Sequence, residues 1–384
     1  MRNFNFQNPT RILFGRGQIE AIAEQIPADA RILLVAGGGS IRKNGVFDQV
    51  QKALEGRIVH EFWGVEPNPD VAGLLPALDI VRAQSIDFIL AVGGGSVIDG
   101  AKFIAAAART QVEPWAILAK GARVTDALPV GVVLTLPATG SESNGAAAIS
   151  NKETGQKLVF VSPLCFPRFA VLDPETTFSL PARQVSNGIA DAFVHVLEQY
   201  LTYSVGGVLA DRLAEALLVT LKEQGPLALR EPTNYEVRAN LMWAASLALN
   251  GLIGQGVPQD WTTHHIGHEL TALFGLDHAR SLAVVLPAVL ETRRQQKAEK
   301  ILQFGTRVFG IRAPTEAEAI DATIAQTVAF FESLAMPTRL SAYGIGEDAI
   351  VRIVAQLKVN RRLRMGERLD ITPEAAGKIL TLAL

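Results

Sequence analysis

The first half of the chain alternates short apolar runs with longer segments of helical periodicity. Five apolar runs rich in β-branched residues predict β-strands at residues 31–36, 57–63, 87–92, 132–137 and 168–173. Between them, the spacing of apolar positions predicts helices at residues 46–54, 70–84 and 97–108. This alternation is typical of a parallel sheet covered by helices on both faces. Such sheets bind ligands at the carboxyl ends of their strands.

From residue 184 onward the spacing of apolar positions becomes that of helices alone. Helical segments separated by glycine and proline are predicted at residues 184–202, 208–223, 236–253, 259–274, 279–309, 315–334, 347–358 and 373–383. The sequence therefore predicts an α/β domain over residues 1–180, an all-helical domain over residues 181–384, and a cleft where the two domains meet.

Composition excludes several classes of protein. A chain of 384 residues that is 48% hydrophobic and 19% charged is typical of a soluble globular protein with two or more domains. The formal net charge of −2 gives no basic field to recruit nucleic acid or an anionic membrane. The N-terminus has no apolar core of signal-peptide length. Residues 239–259 are uncharged, but polar residues and glycines interrupt them, which favours a buried helix over a membrane span.

The single cysteine, Cys165, bears on the cellular compartment. One cysteine excludes an internal disulfide framework and fits a reducing cytoplasm. Because unpaired cysteine is among the residue types most often buried, we interpret Cys165 as a packed core thiol.

Two strand ends share a glycine-rich turn. The segments "LLVAGGGS" (33–40) and "ILAVGGGS" (89–96) each run from a predicted strand into three glycines and a serine. Glycines permit a sharp turn, Ser96 is placed to cap the next helix, and free N–H groups at that helix start favour a phosphate. The fingerprint G-x-G-x-x-G is absent, because Ile98 occupies its last position. A phosphate-binding turn is predicted, with a plain tight turn as the alternative.

The residues after the first of these turns bear on the type of nucleotide. Enzymes that use NAD often place an acidic residue after the first strand, where it binds the ribose 2′-hydroxyl. Here residues 37–40 are Gly-Gly-Gly-Ser and are followed by Arg42 and Lys43, so nothing acidic would repel a 2′-phosphate. This pattern favours NADP. The alternative is that Arg42 and Lys43 only solvate the start of a helix.

One aspartate and several histidines form a candidate metal site. Asp191 and His195 are four residues apart, so they project from the same face of a helix. His264 and His268 have the same spacing on a second helix, and His278 follows after a predicted loop. A carboxylate with several imidazoles suits a divalent transition metal such as iron or zinc.

Other interpretations of the histidines fit the sequence less well. A single histidine is more often a packed core residue than a ligand, but burying a whole set of titratable groups without compensation is costly. The zinc-protease motif H-E-x-x-H is absent, because Leu, Thr and Ala follow His268-Glu269. No G-x-S-x-G motif of a serine hydrolase is present. Metal binding is therefore predicted without a sign of protease or hydrolase chemistry.

Six motifs run through most of the chain in the order found in one enzyme family. They are "TRILFGRG" (10–17), "EPNP" (66–69), "GGGSVIDGAK" (93–102), "TLPATGSESN" (135–144), "GIADAFVHVLEQY" (188–200) and "THHIGHELTALFGLDHA" (263–279). In these motifs the chain resembles the iron-containing (group III) alcohol dehydrogenases, and within them the bacterial NADP-dependent aldehyde reductases and butanol dehydrogenases. The resemblance implies a homodimer, with a Rossmann-like domain before an all-helical metal-binding domain, an architecture like that of dehydroquinate synthase.

The resemblance also implies roles for single residues at the reacting centre. The metal ligands it implies are Asp191, His195, His264 and His278. His268 would lie near the nicotinamide and relay a proton, while His265 has no matching ligand role. Asp99 would assist near the substrate. An acidic residue favoured in the first turn of a helix is the alternative interpretation of Asp99.

The cofactor contacts implied by the resemblance fall into four groups. Those at the adenosine ribose and its phosphate are Gly37, Gly38, Gly39, Ser40 and Asn68. Those at the pyrophosphate are Gly94, Gly95 and Ser96. Those at the nicotinamide are Thr135, Thr139 and Ser141, and Lys157 would approach the ribose.

The implied activity is metal-dependent, NADP(H)-linked hydride transfer on small uncharged primary alcohols and aldehydes. One alternative is a nicotinamide- and metal-dependent lyase of the dehydroquinate synthase type. Such a lyase needs several cations for its phosphorylated, carboxylated substrate, and residues 135–144 and 250–261 contain none. Another alternative is a non-catalytic nucleotide-binding protein, which would explain the glycine turns but not the presence of the aspartate and histidines. We expect neither a nucleic-acid partner nor a membrane.

Overall fold

Six of the eight strands in the computed structural model, which describes residues 1–384, form one parallel sheet. The strands are β1 (Arg11–Phe14), β2 (Arg31–Ala36), β3 (Ile58–Phe62), β4 (Phe88–Gly94), β5 (Val130–Leu136), β6 (Ala146–Asn151), β7 (Gln156–Val161) and β8 (Phe169–Leu172). The order in the sheet is β1-β8-β5-β4-β2-β3, and every neighbouring pair is parallel. Strands β6 and β7 form a separate antiparallel hairpin. The predicted parallel sheet is confirmed.

Both faces of the large sheet are buried. Along β2, Leu33 and Val35 belong to one apolar cluster, whereas Ile32 and Leu34 belong to another. Successive side chains of a strand point to opposite faces, so these clusters cover the two sides of the sheet. The inner strands β4, β5 and β8 are buried along nearly all of their length. Burial on both faces explains why the sequences of these strands are nearly continuous runs of apolar residues.

The helices account for most of the second half of the chain. They are α1 (Ile22–Gln25), α2 (Ser40–Lys43), α3 (Val46–Ala53), α4 (Val71–Ala83), α5 (Gly95–Ala107), α6 (Ala116–Ala119), α7 (Ala182–Tyr200), α8 (Val208–Arg230), α9 (Tyr235–Leu249), α10 (Thr262–Phe274), α11 (His278–Thr292), α12 (Ala298–Phe304), α13 (Glu316–Ser333), α14 (Glu347–Val359) and α15 (Pro373–Leu382). From α7 onward no strand of the sheet occurs. The all-helical second half is thus confirmed.

The chain divides into two compact units. The α/β unit consists of Gln7–Pro181 and Thr233–Ser246. The helical unit consists of Met1–Phe6, Ala182–Pro232 and Leu247–Leu384. The sequence predicted two contiguous domains, whereas the first six residues and a segment containing most of α9 belong to the other unit.

Several elements differ from the prediction, and the short helices α1, α2 and α6 are among those that were not predicted. Strand β1 and the hairpin of β6 and β7 were not predicted. The single helix predicted at 279–309 is instead α11, α12 and a π-helical turn at Gly305–Phe309.

The uncharged segment that begins at residue 239 forms much of α9, where most side chains are buried, as expected. None of the helices combines the length and apolar character needed to cross a membrane.

Candidate functional site

Helix α7 places a carboxylate and an imidazole side by side. Asp191 and His195 are one turn apart on the same face, and they are only 3% and 4% exposed. His195 Nε2 lies 3.6 Å from Asp191 Oδ1. A helix surrounded by apolar side chains therefore carries two groups that point in the same direction and that can both bind a cation.

Two other helices bring imidazoles to the same carboxylate oxygen. His264 comes from the first turn of α10, and His278 is the first residue of α11 after a short loop. Their Nε2 atoms lie 3.8 Å and 3.7 Å from Asp191 Oδ1. The rings of His195 and His264 are stacked, with centroids 4.6 Å apart. The structure therefore brings together all four side chains that the resemblance implied as metal ligands.

The spacing of these atoms fits a bound divalent cation. Ligand atoms at about 2.1 Å from a tetrahedral ion are separated from one another by roughly 3.4 Å. The three distances from Asp191 Oδ1, between 3.6 and 3.8 Å, are close to that value. His264 Nε2 is buried and has no hydrogen-bond partner in the protein. One carboxylate and three imidazoles also suit zinc or iron, so the residues fit a single transition-metal ion.

A second carboxylate, Glu198, orients one of the imidazoles. Its Oε2 is hydrogen-bonded to His264 Nδ1, and its Oε1 accepts the N–H groups of Thr263 at 2.7 Å and His264 at 3.3 Å. A carboxylate on one ring nitrogen leaves the other nitrogen to face a metal and makes it a stronger ligand. Glu198 was not identified from the sequence. Its position seven residues after Asp191, on the same face of α7, was the available signal.

The two carboxylates make the cluster attractive to a cation. Burial by itself lowers the pKa of the His264 imidazole, but Glu198 and Asp191 outweigh burial and raise that pKa to about 9. Burial raises the pKa of the Glu198 carboxyl, and the His264 imidazole opposes this rise. Positive charge at His264 is therefore strongly favoured, whether a proton or a metal ion supplies it.

The remaining two histidines of α10 have different surroundings. His268 is buried, and its ring centroid lies 5.0 Å from that of His278 and 6.1 Å from that of His264. His265 is half-buried, and burial, reinforced by the guanidinium of Arg362, lowers its pKa to about 3. His268 thus borders the cluster, whereas His265 is held neutral beside Arg362.

Close packing explains why the second turn, at residues 93–96, is rich in glycine. A Cβ atom on Gly94 would lie 2.9 Å from Leu136 Cβ, and one on Gly95 would lie 2.5 Å from Thr139 Oγ1, so larger residues do not fit. Helix α5 begins at Gly95, and Ser96 lies inside its first turn. The predicted capping role of Ser96 is wrong, because Gly94 is the N-cap and no side chain caps the helix. Backbone N–H groups without a side-chain cap are what a phosphate site requires.

Asn68 connects two other residues predicted to bind the cofactor. Its N–H donates to Ser96 Oγ at 3.2 Å, and its Oδ1 accepts from Lys157 Nζ at 2.7 Å. Asn68 has a φ of 55°, in the left-handed region that asparagine tolerates better than most residues. Lys157 is buried on β7. A buried cation is thereby linked to the start of α5 through the side chain and the backbone N–H of one residue.

Asp99 is fully engaged by neighbours in the α/β unit. Its Oδ1 accepts from Ser141 Oγ at 2.6 Å, and its Oδ2 accepts from the N–H of Ala148 at 3.0 Å. Burial raises the pKa of the Asp99 carboxyl, and the ammonium group of Lys102 opposes that rise. These contacts favour a structural role for Asp99 over the catalytic role implied by the resemblance.

Lys102 on α5 is the buried partner that the sequence did not single out. Its side chain is completely buried, and Nζ donates to Ser141 Oγ at 2.9 Å, Asn144 Oδ1 at 3.2 Å and the carbonyl of Ala146 at 2.9 Å. Burial lowers the pKa of Lys102 to about 8, while Asp99 opposes this fall. We name Lys102, Asp99, Ser141 and Asn144 the buried lysine network.

The three residues predicted beside the nicotinamide differ in their hydrogen bonds and in their burial. Ser141 both donates and accepts within the buried lysine network. Thr139 is half-buried, and its Oγ1 accepts the N–H of Ser141 at 3.2 Å. Thr135 is buried near the carboxyl end of β5. Of the three residues, Ser141 is therefore held by the buried lysine network, and its N–H contacts Thr139.

The first glycine turn is open, and a pair of opposite charges lies beside it. Cβ atoms on Gly38 and Gly39 would meet nothing within 4 Å. Arg42 pairs with Glu61 at 3.2 Å and lies 3.8 Å above the ring of Trp63. Glu61, on the neighbouring strand β3, is an acidic residue close to this turn that lies outside the segment 37–43 on which the preference for NADP was based. Its charge is offset by Arg42.

Comparison with known sequences assigns the chain to a family. Residues 9–174 match iron-containing alcohol dehydrogenases, and residues 185–383 match the C-terminal part of the Fe-containing alcohol dehydrogenase family. The chain belongs to the iron-containing alcohol dehydrogenase family. The resemblance stated from the sequence motifs is thus confirmed.

Two curated relatives of this family member extend over nearly the whole chain. It is 54% identical to the NADPH-dependent aldehyde reductase YqhD of Escherichia coli, with 100% of both chains covered. It is 40% identical to the probable NADH-dependent butanol dehydrogenase 1 of Bacillus subtilis, with 94% of both chains covered.

Solved structures of the family share its fold. The crystal structure of E. coli YqhD superposes with a TM-score of 0.99 at 54% identity, covering 100% of this chain and 99% of the other. The NADH-dependent butanol dehydrogenase A of Thermotoga maritima superposes with a TM-score of 0.95 at 34% identity, with the same coverage.

Removal of the Glu198 carboxylate is expected to weaken metal binding by this family member. We expect Glu198→Gln to raise the dissociation constant for zinc about 10- to 100-fold, because the His264 ring loses its anionic partner. Competition with a chromophoric chelator measures this constant. Glu374→Gln, which changes an exposed carboxylate on α15, is the control and should bind zinc like the wild type. Equal affinities for all three proteins would contradict the orienting role of Glu198.

Proposed function

We propose that the chain is a metal-dependent, NADP(H)-linked alcohol dehydrogenase and aldehyde reductase that acts on small uncharged primary alcohols and aldehydes. One observation carries the proposal: the Asp191 carboxylate faces three imidazole Nε2 atoms at 3.6–3.8 Å in a cluster of which only His278 is partly exposed. The name of the E. coli relative, an NADPH-dependent aldehyde reductase, supports the substrate class and the coenzyme.

The proposed site residues form two groups, one for the metal and one for the nucleotide. The metal, iron or zinc, would be held by Asp191, His195, His264 and His278. When bound, the metal would supply Lewis acidity toward the substrate oxygen, and the nicotinamide would supply the chemistry of hydride transfer. The nucleotide would be held by the turns at 37–40 and 94–96, with the further contacts at Asn68, Thr135, Thr139, Ser141 and Lys157.

The side chains around the ligands have supporting roles in this scheme. Asp191 and Glu198 provide negative charge that offsets the positive charge of the metal. Glu198 keeps the His264 ring in one orientation and one tautomer. His268, buried beside His278, is our candidate for relaying the proton that the substrate oxygen gains in reduction. Asp99 acts indirectly, by holding Ser141 in place.

A lyase of the dehydroquinate synthase type is not favoured. The relatives described above are named as a reductase and as dehydrogenases. Residues 135–144 and 250–261 contain no lysine or arginine that could bind a phosphorylated, carboxylated substrate.

The experiment that tests the proposed function combines elemental analysis with turnover. Freshly purified protein is analysed for metals, and oxidation of NADPH and NADH is followed with butanal as the substrate. We expect one iron or zinc ion per chain and faster turnover with NADPH. Full activity after complete removal of the metal would contradict the proposal.

Gly38 offers a direct test of coenzyme preference. A side chain fits there without strain, because a Cβ atom meets nothing within 4 Å and the backbone has no positive φ. We expect Gly38→Asp to raise the KM for NADPH at least about tenfold relative to that for NADH, because a carboxylate repels the 2′-phosphate. Gly38→Asn is the uncharged control of the same size. An equal rise in both variants would show that charge at this position does not decide the preference.

We further propose that the protein is a cytoplasmic homodimer. The family resemblance supports the dimer, and the buried free thiol of Cys165 is compatible with a reducing compartment. Sedimentation velocity of the purified protein tests the oligomeric state, and a sedimentation coefficient of a monomer at micromolar concentration would contradict the dimer.

A further inference from the structure

Helix α7 carries a longer row of polar side chains than the metal cluster uses. Arg183, Asn187, Asp191 and His195 follow one another at intervals of four residues, so they lie along one face of the helix. The last two belong to the metal cluster. The first two contact a different residue, Asp277, in the loop before α11.

The carboxylate of Asp277 is held by both of these side chains. Its Oδ2 accepts from Arg183 Nε at 2.8 Å and from Asn187 Nδ2 at 3.0 Å. Asp277 directly precedes His278, and its backbone carbonyl accepts the N–H of Ser281 in the first turn of α11. The side chain of Asp277 therefore ties the start of α11 to α7.

The start of α11 is also tied to α10. Ser281 Oγ donates to the carbonyl oxygens of His278 at 2.6 Å and Gly267 at 3.1 Å, so the two compete for one proton. A Cβ atom on Gly267 would lie 2.8 Å from Ser281 Oγ, so glycine is needed for this close approach. The backbone of His278 is thus held between two helices.

Among the four implied ligands, His278 most needs such support. Its side chain is 20% exposed, compared with 4% for Asp191, 5% for His195 and 8% for His264. It is also the first residue of its helix, after a three-residue loop, whereas His264 is the third residue of α10 and Asp191 and His195 lie well inside α7. Burial alone therefore restrains His278 least.

We propose that Asp277 is a positioning residue for the metal centre, acting through the backbone of His278, with Arg183 and Asn187 as its anchors on α7. This inference rests on the metal site of the proposed function. In this arrangement α7 supplies two ligands directly and fixes the third imidazole, His278, through Asp277. Loss of the Asp277 carboxylate lets the start of α11 move, and the metal loses the defined geometry of one ligand.

Binding of cobalt(II) to the metal-free protein tests the proposal. Cobalt gives visible absorption bands that depend on the number and geometry of its ligands, so the readout does not depend on turnover. For Asp277→Ala we expect the cobalt dissociation constant to rise about tenfold, the lower end of the effect of lost outer contacts, with altered band positions. Asp277→Asn keeps an acceptor for Asn187 and should recover part of the affinity.

A matched control and a second variant keep the outcome clear. Asp321→Ala removes a carboxylate that pairs with Arg294 on another part of the helical unit, and it should bind cobalt like the wild type. If Asp277→Ala lowers the melting temperature of the metal-free protein, Asn187→Ala replaces it and should raise the cobalt dissociation constant in the same direction.

The possible results separate this inference from the proposed function. Wild-type affinity and spectrum in both Asp277→Ala and Asn187→Ala would overturn the positioning role and leave the metal site intact. Failure of the wild type itself to bind cobalt or zinc would instead overturn the metal site, and the positioning role with it.

Discussion

Asp191→Ala is expected to abolish turnover while NADPH still binds. The Asp191 carboxylate is the common neighbour of three imidazole nitrogens and the only implied ligand with a negative charge. Without it the remaining imidazoles hold a divalent cation weakly. Loss of the Lewis acid removes several kcal/mol of transition-state stabilisation, so we expect kcat to fall by at least about a thousandfold.

Three measurements on Asp191→Ala decide this prediction. Elemental analysis should find the metal lost, the rate of NADPH oxidation with butanal should be at background, and NADPH fluorescence should show binding within about threefold of the wild type. His264→Ala should behave in the same way. If either variant kept its metal and full activity, the assignment of the reacting centre to this cluster would be wrong.

Lys102→Met is expected to be strongly destabilising. The substitution leaves the buried carboxylate of Asp99 without the nearby ammonium group and removes one donor each from Asn144 Oδ1 and from the carbonyl of Ala146. The Ser141 hydroxyl bridges Lys102 and Asp99, and removing one of two opposite buried charges costs about 3–5 kcal/mol. For a unit of this size we expect the melting temperature to fall by about 10 °C.

Urea unfolding of four proteins tests this expectation. Lys43→Met changes an exposed lysine of the same unit and should alter the unfolding free energy by less than about 0.5 kcal/mol. The double variant Asp99→Asn/Lys102→Met removes both charges and should recover a large part of the loss seen in Lys102→Met. An unfolding free energy of Lys102→Met equal to that of the wild type would show that the buried lysine network contributes nothing to stability.

The sequence predicted the elements whose burial pattern is regular. Strand β2 was predicted within its observed bounds, because its apolar run is continuous and the next residues are glycines. Strand β1 has only four residues at the edge of the sheet, which is too short for a periodic signal. The break between α11 and α12 contains neither glycine nor proline, so nothing in the local sequence marks it.

In the candidate site, too, the sequence revealed neighbours within one helix but not contacts between distant segments. Helical spacing placed Asp191 beside His195, but only the resemblance singled out His264 and His278 as their co-ligands. Glu198 was missed because its partner, His264, is 66 residues away in the chain. Lys102 was missed because it lies in an alanine-rich helical segment whose other members are apolar core residues. Contacts between distant segments cannot be read from periodicity.

The division of the chain into two units bears on how such an enzyme can be altered. All four implied ligands and their supporting contacts belong to the helical unit, whereas both glycine turns belong to the α/β unit. In the proposed scheme, substitutions that alter the dinucleotide preference at the first glycine turn would therefore leave every implied metal ligand and its supporting contacts unchanged.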